Sequence, residues 1–287
     1  MSNAVLPAPA NRSRFQSALR RNPRAIVGFS LVTLMILLAV FAPLLTSYGP
    51  EAPIASDARQ PPSLQHLFGT DETGMDIFTR VIYGGRIDIS IGVVGTLLSL
   101  LIGVPLGLLV GYREGIWGEI TMRLMDLLQA FPVFVLAMTL VAGLGNRVEN
   151  VILAIAFLNA PIYLRLVRAE VLMLKRLPFV EAAKVAGRGN LYIMFRELLP
   201  NSVGPALIQA SVNVGWAILL TAGLSFIGAG VPVPTPEWGS MISIGAGTII
   251  TGQWWASFFP GLAIMTTVLG FALVGDFLRE YFDVQQR

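Results

Sequence analysis

The sequence predicts an all-α, polytopic membrane protein with six transmembrane helices. Three observations carry that reading. Apolar residues fill 54% of the 287 positions and charged residues only 13%, where soluble domains carry about 25% charge. Six uncharged runs, at 25–50, 89–112, 127–146, 150–164, 198–236 and 238–275, are separated by charged stretches. All but the fourth reach the roughly 20 residues that a helix needs to cross the hydrocarbon. Lipid accepts apolar faces that water would not, provided the backbone is satisfied within each helix.

The elements follow in order. A polar, basic tail over 1–25 precedes a first span at 26–47. A basic start and an apolar stretch also describe a cleaved signal peptide. Here the apolar run is a full span long, and 42–50 lacks a small-x-small cleavage site, so a retained helix is expected. A loop over 48–88 leads to the second span, 89–112. On its face Gly103, Gly107 and Gly111 recur every four residues, a spacing that lets helix backbones approach closely. That seam serves either a partner subunit or packing within the chain. The third and fourth spans are expected at 120–142 and 150–168, the latter borrowing residues at the ends of its short run. Pro105, Pro132 and Pro161 fall inside the second, third and fourth helices. The last two runs are too long for one helix each. Pro232, Pro234 and Pro236 cannot sit in a regular helix, so the fifth span, 204–228, ends before them and the sixth occupies 256–278.

Lys and Arg set the orientation. Sixteen of the 20 fall in 1–25, 113–123, 165–196 and the C-terminal tail, and four (Arg59, Arg80, Arg86 and Arg147) fall on the other side. The basic side of a membrane protein is the cytoplasmic one. Both termini, including the tail 279–287, and the long basic loop are therefore expected inside. The segments 48–88 and 230–253 are expected outside. Trp254 and Trp255 suit the outer interface, where indole rings settle.

Chemistry is sparse. There is no cysteine, which excludes disulfides, thiolate metal sites and cysteine nucleophiles. The one histidine, His66, cannot build a multi-histidine metal site. No Gly-x-x-x-x-Gly-Lys-Ser/Thr occurs, so no P-loop nucleotide site is expected. Ser225 and Ser257 have no histidine near them on the same side. A net charge of +3 is too small to suggest a nucleic acid partner. No cofactor or metal is expected. Asp126 alone comes near a span interior. An intramembrane carboxylate is functional by default, although Arg123 at i−3 offers this one an interfacial partner. A pore that lacks both proton relays and its own engine wants a partner.

The segment 178–201 reads as helix, turn, helix. Pro178 suits a helix first turn, and Glu181 places negative charge near that start. Ala182, Ala183 and Ala186 are strong helix formers without bulk. Gly187 and Gly189 end the helix, because glycine takes the left-handed cap freely. A second helix runs from 192 to 199 and Pro200 is expected to stop it. A short helix with small side chains, held beside the membrane, can dock closely into a groove of another protein. The plainer alternative is a surface loop of good helix propensity.

The run Glu181-Ala182-Ala183, then Gly187, then Leu199-Pro200 resembles the EAA loop of ATP-binding-cassette (ABC) importer permeases. Glu197 stands where that loop often has isoleucine. The stretch 68–86, from Phe68-Gly69-Thr70-Asp71 to Gly85-Arg86, is similar to the signature of the dipeptide/oligopeptide/nickel permeases, C-type subunit. So are 224–239, Phe259-Pro260-Gly261, and the ending Gly275-Asp276-Phe277-Leu278-Arg279. Met75, where arginine is frequent, and Val284, where proline is frequent, depart from it. The resemblance covers nearly the whole chain and implies the type I ABC importer permease fold in a bacterial inner membrane. It implies a coupling loop over 169–203 inside a core domain 89–278. The implied partners are a homologous second permease, two P-loop ATPase subunits below, a periplasmic substrate-binding protein above, and membrane lipid. It leaves the substrate open among di- or oligopeptides, nickel chelates, and glutathione-like or opine-like solutes. A secondary transporter or channel would need coupling residues in its spans or inverted repeats with broken helices. A membrane enzyme would need a catalytic constellation. The sequence offers neither.

Overall fold

The computed structural model describes residues 11–285, and every regular element among them is helical. A basic helix, α1 (Asn11–Arg21), turns at Asn22 into α2 (Pro23–Val40). Asn22 caps α2 by accepting the Ala25 N–H at 3.2 Å, and Pro23 starts the helix where its missing N–H costs nothing. The expected tail is thus largely helical, and α1 packs Phe15 against Phe277, with ring centroids 5.4 Å apart. Residues 1–10 and 286–287 of the expected tails lie outside the described residues.

Helix α3 spans Ile77–Tyr112. It starts at Ile77 rather than 89 because Asp76 caps it, accepting from the Thr79 N–H at 2.8 Å and its hydroxyl at 2.7 Å. At 1.5 Å per residue this helix is about 54 Å long, well beyond a hydrocarbon core of about 30 Å. It is therefore too long to lie wholly within the hydrocarbon, and its charged residues, Arg80, Arg86 and Asp88, all fall in its first turns.

The third span is broken. Helix α4 (Ile116–Ala130) and helix α5 (Val133–Leu144) meet at Phe131-Pro132 with a bend of 94°. Proline disfavours helical backbone at the preceding residue, and Phe131 is extended (ψ 141°). Pro105, Pro161 and Pro260 are absorbed within intact helices.

Helix α6 (Val148–Leu174) runs parallel to α3 in the most extensive pairing of the fold. Here the glycine seam is explained. A Cβ at Gly103 would lie 2.5 Å from the Ala160 carbonyl, and one at Gly107 would lie 2.5 Å from the Leu164 carbonyl. The seam thus packs within the chain. Helix α7 (Pro178–Val185) follows, then an interrupted stretch over 190–202 with a π-register at Ile193–Leu198. Pro200 does not stop this stretch. It sits in the first turn of a short helix, Leu199–Ser202, and the wider register upstream accommodates its ring.

Helix α8 (Gly204–Phe226), helix α9 (Trp238–Thr248) and helix α10 (Trp255–Gln285) complete the bundle. Asn213 on α8 donates to the Tyr163 hydroxyl on α6 at 2.9 Å, a buried polar contact between spans. The five long helices α2, α3, α6, α8 and α10 are each long and apolar enough to cross a membrane, and the bent pair α4–α5 brings the count to six when taken as one broken span. The C-terminal tail expected from 279 is a continuation of α10 to Gln285.

Candidate functional site

The loop singled out in the sequence forms one compact unit beside the ends of α3 and α6. Helix α7 closes with a Schellman motif. The Arg188 N–H reaches back to the Ala183 carbonyl at 3.1 Å, and the Gly187 N–H to Lys184 at 2.9 Å. Gly187 takes φ +73° there, a conformation that costs a side chain roughly 1 kcal/mol.

The one buried residue of α7 anchors it to the bundle. Val180 is fully buried in a cluster with Leu108 of α3, Val167 and Val171 of α6, and Ile193, Met194 and Leu198 of the following stretch. Ala183 and Leu199 pack partly against the same cluster. Glu181, Ala182, Gly187 and Pro200 are exposed. So are Phe179 and Val185, the latter at 90%. The residues of the resemblance therefore divide into two sets. Ala183 and Leu199 face inward, while Glu181, Ala182, Gly187 and Pro200 line the outer surface. Sequence reasoning missed Val180, although its neighbours mark it. In 178–185 it is the apolar position one turn before the half-buried Ala183.

A second tie fixes this end. Lys175 donates to the Gly111 carbonyl at 3.2 Å and pairs with Glu114 in the α3–α4 turn. That hydrogen bond, with the ammonium charge, holds the Glu114 carboxyl below its usual range. Asp126, for which the sequence offered Arg123 as one partner, pairs with Arg165 of α6 at 2.7 Å. Both partners are substantially exposed, so this bridge steers α4 more than it stabilises it.

At the opposite end, the segments that carried the resemblance meet each other. Arg80 is buried, and its Nη1 donates to the carbonyls of Pro50 at 2.8 Å and Pro234 at 3.0 Å. It also lies 3.0 Å from the Met75 sulfur. Trp238 donates its backbone N–H to Asp88 Oδ2 at 3.1 Å and its indole N–H to the Val81 carbonyl at 2.8 Å. Glu237 caps α9 by accepting the Gly239 and Ser240 N–H groups at 2.9 and 2.7 Å. Burial nevertheless pushes its carboxyl up from the ordinary glutamate value. Phe68 stacks on Phe259 at 3.9 Å, 4° from parallel. Trp255, expected at the lipid interface, is buried and donates to the Thr70 carbonyl at 3.1 Å. Trp254 beside it is half exposed. His66 is buried between Asp76 at 3.0 Å and Asp57 at 3.5 Å, a structural clamp inside the loop. The loop and the α8–α9 connection are thus one rigid cap. The long sequence gap between its halves hid it from sequence reasoning.

The binding-protein-dependent transport system inner membrane component family matches residues 103–287. The N-terminal TM domain of oligopeptide transport permease C matches residues 13–62. The chain is 43% identical over 270 residues to the dipeptide transport system permease protein DppC of Alkalihalophilus pseudofirmus, covering 94% of this chain and 88% of that one. It is 38% identical over 288 residues to the di/tripeptide transport system permease protein DppC of Pseudomonas aeruginosa, with coverage of 98% and 95%. It is 40% identical over 270 residues to the glutathione transport system permease protein GsiD of Escherichia coli, with coverage of 94% and 89%. Among solved structures, the MetNI methionine ABC transporter in inward-facing form superposes with a TM-score of 0.52 at 18% identity. That match covers 70% of this chain and 96% of the other, and it shows a shared fold.

Proposed function

Because the chain belongs to the binding-protein-dependent transport system inner membrane component family, and is a multi-pass inner-membrane permease subunit of an ABC importer, we propose that it carries short peptides and is driven through α7. The subunit is not itself an enzyme; in this family ATP hydrolysis belongs to separate ATPase subunits, and importers also use a substrate-binding protein.

The observation that carries the coupling reading is the two-sidedness of α7. Val180 is rooted in the α3–α6 core while Phe179 and Val185 stay exposed. A helix built this way can be gripped from outside and can pass a rigid-body displacement to the spans. Coupling of distant sites needs an element whose contacts differ between two states. An ATPase dimer closing on ATP would move α7, and α7 would move α3 and α6 through Val180.

In this reading α7 and both termini face the cytoplasm, and the Arg80–Trp238 cap receives a periplasmic binding protein. A second, homologous permease completes the pore, and two P-loop ATPases sit beneath. The peptide substrate follows from the names of the relatives and from the scarcity of charge in the spans. A pore with few charged groups suits a solute delivered by a dedicated binding protein. The test is reconstitution of this chain with its partner permease, ATPases and binding protein in sealed vesicles. ATP-dependent uptake of a labelled dipeptide is expected. Uptake of another solute class, with dipeptides refused, would overturn the substrate assignment. Full activity without the ATPase subunits would overturn the coupling one.

A further inference from the structure

A polar group sits near the middle of the bundle with nothing to satisfy it. Asn159 lies close to the midpoint of α6 and is 1% exposed. Its Nδ2 has no hydrogen-bond partner among the described residues. A buried amide without partners costs on the order of 1–3 kcal/mol, and polar groups deep in a membrane mark function by default.

Asn159 forms part of the wall of a cavity of about 380 Å³. Neighbouring α6 residues such as Phe157 and Ile162 continue that wall, and two other elements complete it. Gln129, Phe131 and Val133 lie at the 94° break between α4 and α5, and Trp216 reaches in from α8. The break matters independently of Asn159. A span that ends at Ala130 and restarts at Val133 leaves carbonyls of one half-helix and N–H groups of the other without helical partners. Irregular backbone at membrane depth is tolerated only where protein covers it or where it lines a hydrated path. Discontinuous helices near the midplane are a recurrent way of building solute sites.

We propose that this cavity is a transit site for peptide backbone, with Asn159 as its hydrogen-bonding contact. The inference rests on the peptide reading above. A carboxamide carries both a donor and an acceptor, and the two ends exchange by a flip of the side chain. It therefore matches the N–H and C=O of any peptide unit, whatever the side chains. Phe131 and Trp216 give those side chains an apolar surface. A neutral amide also suits passage, because conduction needs binding strong enough to enter and weak enough to leave.

The test uses the complete importer in vesicles, with radiolabelled dialanine as the probe. Asn159→Leu removes the amide and keeps the branching and heavy-atom count, with the adjoining cavity to take the greater bulk of its methyl groups. The melting temperature of the complex is expected to stay level or rise, since an unsatisfied buried group is replaced by an apolar one. Recovery of all subunits on purification is expected to stay level. Dialanine uptake per ATP hydrolysed is expected to fall about tenfold, the loss of one net hydrogen bond to substrate, and Asn159→Gln should restore part of it. Unchanged uptake in Asn159→Leu overturns the proposal. A lower melting temperature with loss of the second permease also overturns it, because Asn159 would then be satisfied by that subunit. Refusal of dialanine by the unmodified importer would remove the peptide reading and this inference together, an outcome visible before any variant is made.

Discussion

The indole N–H of Trp238 donates to the backbone carbonyl of Val81 at 2.8 Å, joining the start of α9 to the first turns of α3. Both residues are buried, and Gly84 and Gly85 make room for the indole, with ideal Cβ positions 3.1 and 3.3 Å from its ring. Trp238→Phe should lose the hydrogen bond and part of the ring's packing, costing about 1–3 kcal/mol. Trp238→Ala should cost about 3–5 kcal/mol through the cavity it leaves. Thermal unfolding in detergent, followed by tryptophan-independent probes, checks the order. Equal melting temperatures for the two variants would show that the ring's packing carries nothing.

The cap should also respond to pH. Burial raises the Glu237 carboxyl from its ordinary value, although the Gly239 and Ser240 N–H groups partly oppose this. Asp88 is the neighbouring carboxyl, held on the Trp238 N–H. For a carboxyl whose folded pKa is raised, protonation favours the folded state. The stabilising contribution is fully present below the unfolded value, about 4.3. It is lost as pH rises from there through the raised folded value. Glu237→Gln cannot ionise, so its stability should fall less across that window than the parent's. It should also be less stable at low pH, since one amide end faces an N–H. Melting curves from pH 4 upward decide it, and parallel curves for parent and variant would contradict the assignment.

Much of this architecture was legible in the sequence, and the exceptions have physical causes. The apolar runs gave the spans because lipid selects length and composition directly. The start of α3 was hidden because Arg80, Arg86 and Asp88 break the apolar run, although Asp76 and Thr79 already carried a capping pattern. Arg86 is satisfied by the Ala39 and Val40 carbonyls at 2.6 and 2.8 Å, across a gap no local pattern reveals. The break at Pro132 was hidden because proline in a span can be absorbed without breaking the helix, as Pro105 and Pro161 are here. Val180 was missed because a loop read for its Glu-Ala-Ala run draws attention to the surface, while the anchor is the buried residue just before it.

Orientation is testable in a chain without cysteine. Lys184 on α7 and Ile250 after α9 are both exposed, the latter at 94%. In spheroplasts expressing the chain without ATPase subunits, an impermeant maleimide should label Ile250→Cys. Lys184→Cys should react only after permeabilisation. The reverse pattern would invert the topology and with it the assignment of α7 to the ATPase side.

Gly187 is the sharpest probe of coupling, because two effects of a side chain there can be separated. Its φ of +73° imposes local strain on any other residue, yet an added Cβ would meet nothing within 4 Å. Gly115, in the turn between α3 and α4, is an equally open control, and its backbone (φ +130°, ψ −172°) is the more demanding of the two. Leucine should therefore cost the isolated chain roughly 1–2 kcal/mol at Gly187 and more at Gly115, without unfolding a bundle of this size in either case. Local strain alone would make Gly115→Leu the worse variant, whereas bulk meeting a docked partner would make Gly187→Leu the worse one. Gly187→Leu is expected to abolish uptake and to weaken copurification with the ATPase or stimulation by the binding protein. Gly115→Leu should transport at close to the parental rate. Uptake and copurification at matched expression in reconstituted vesicles give the comparison. Equal transport by both variants would mean that nothing docks at the Schellman turn, and that α7 is only a solvated connection between α6 and α8.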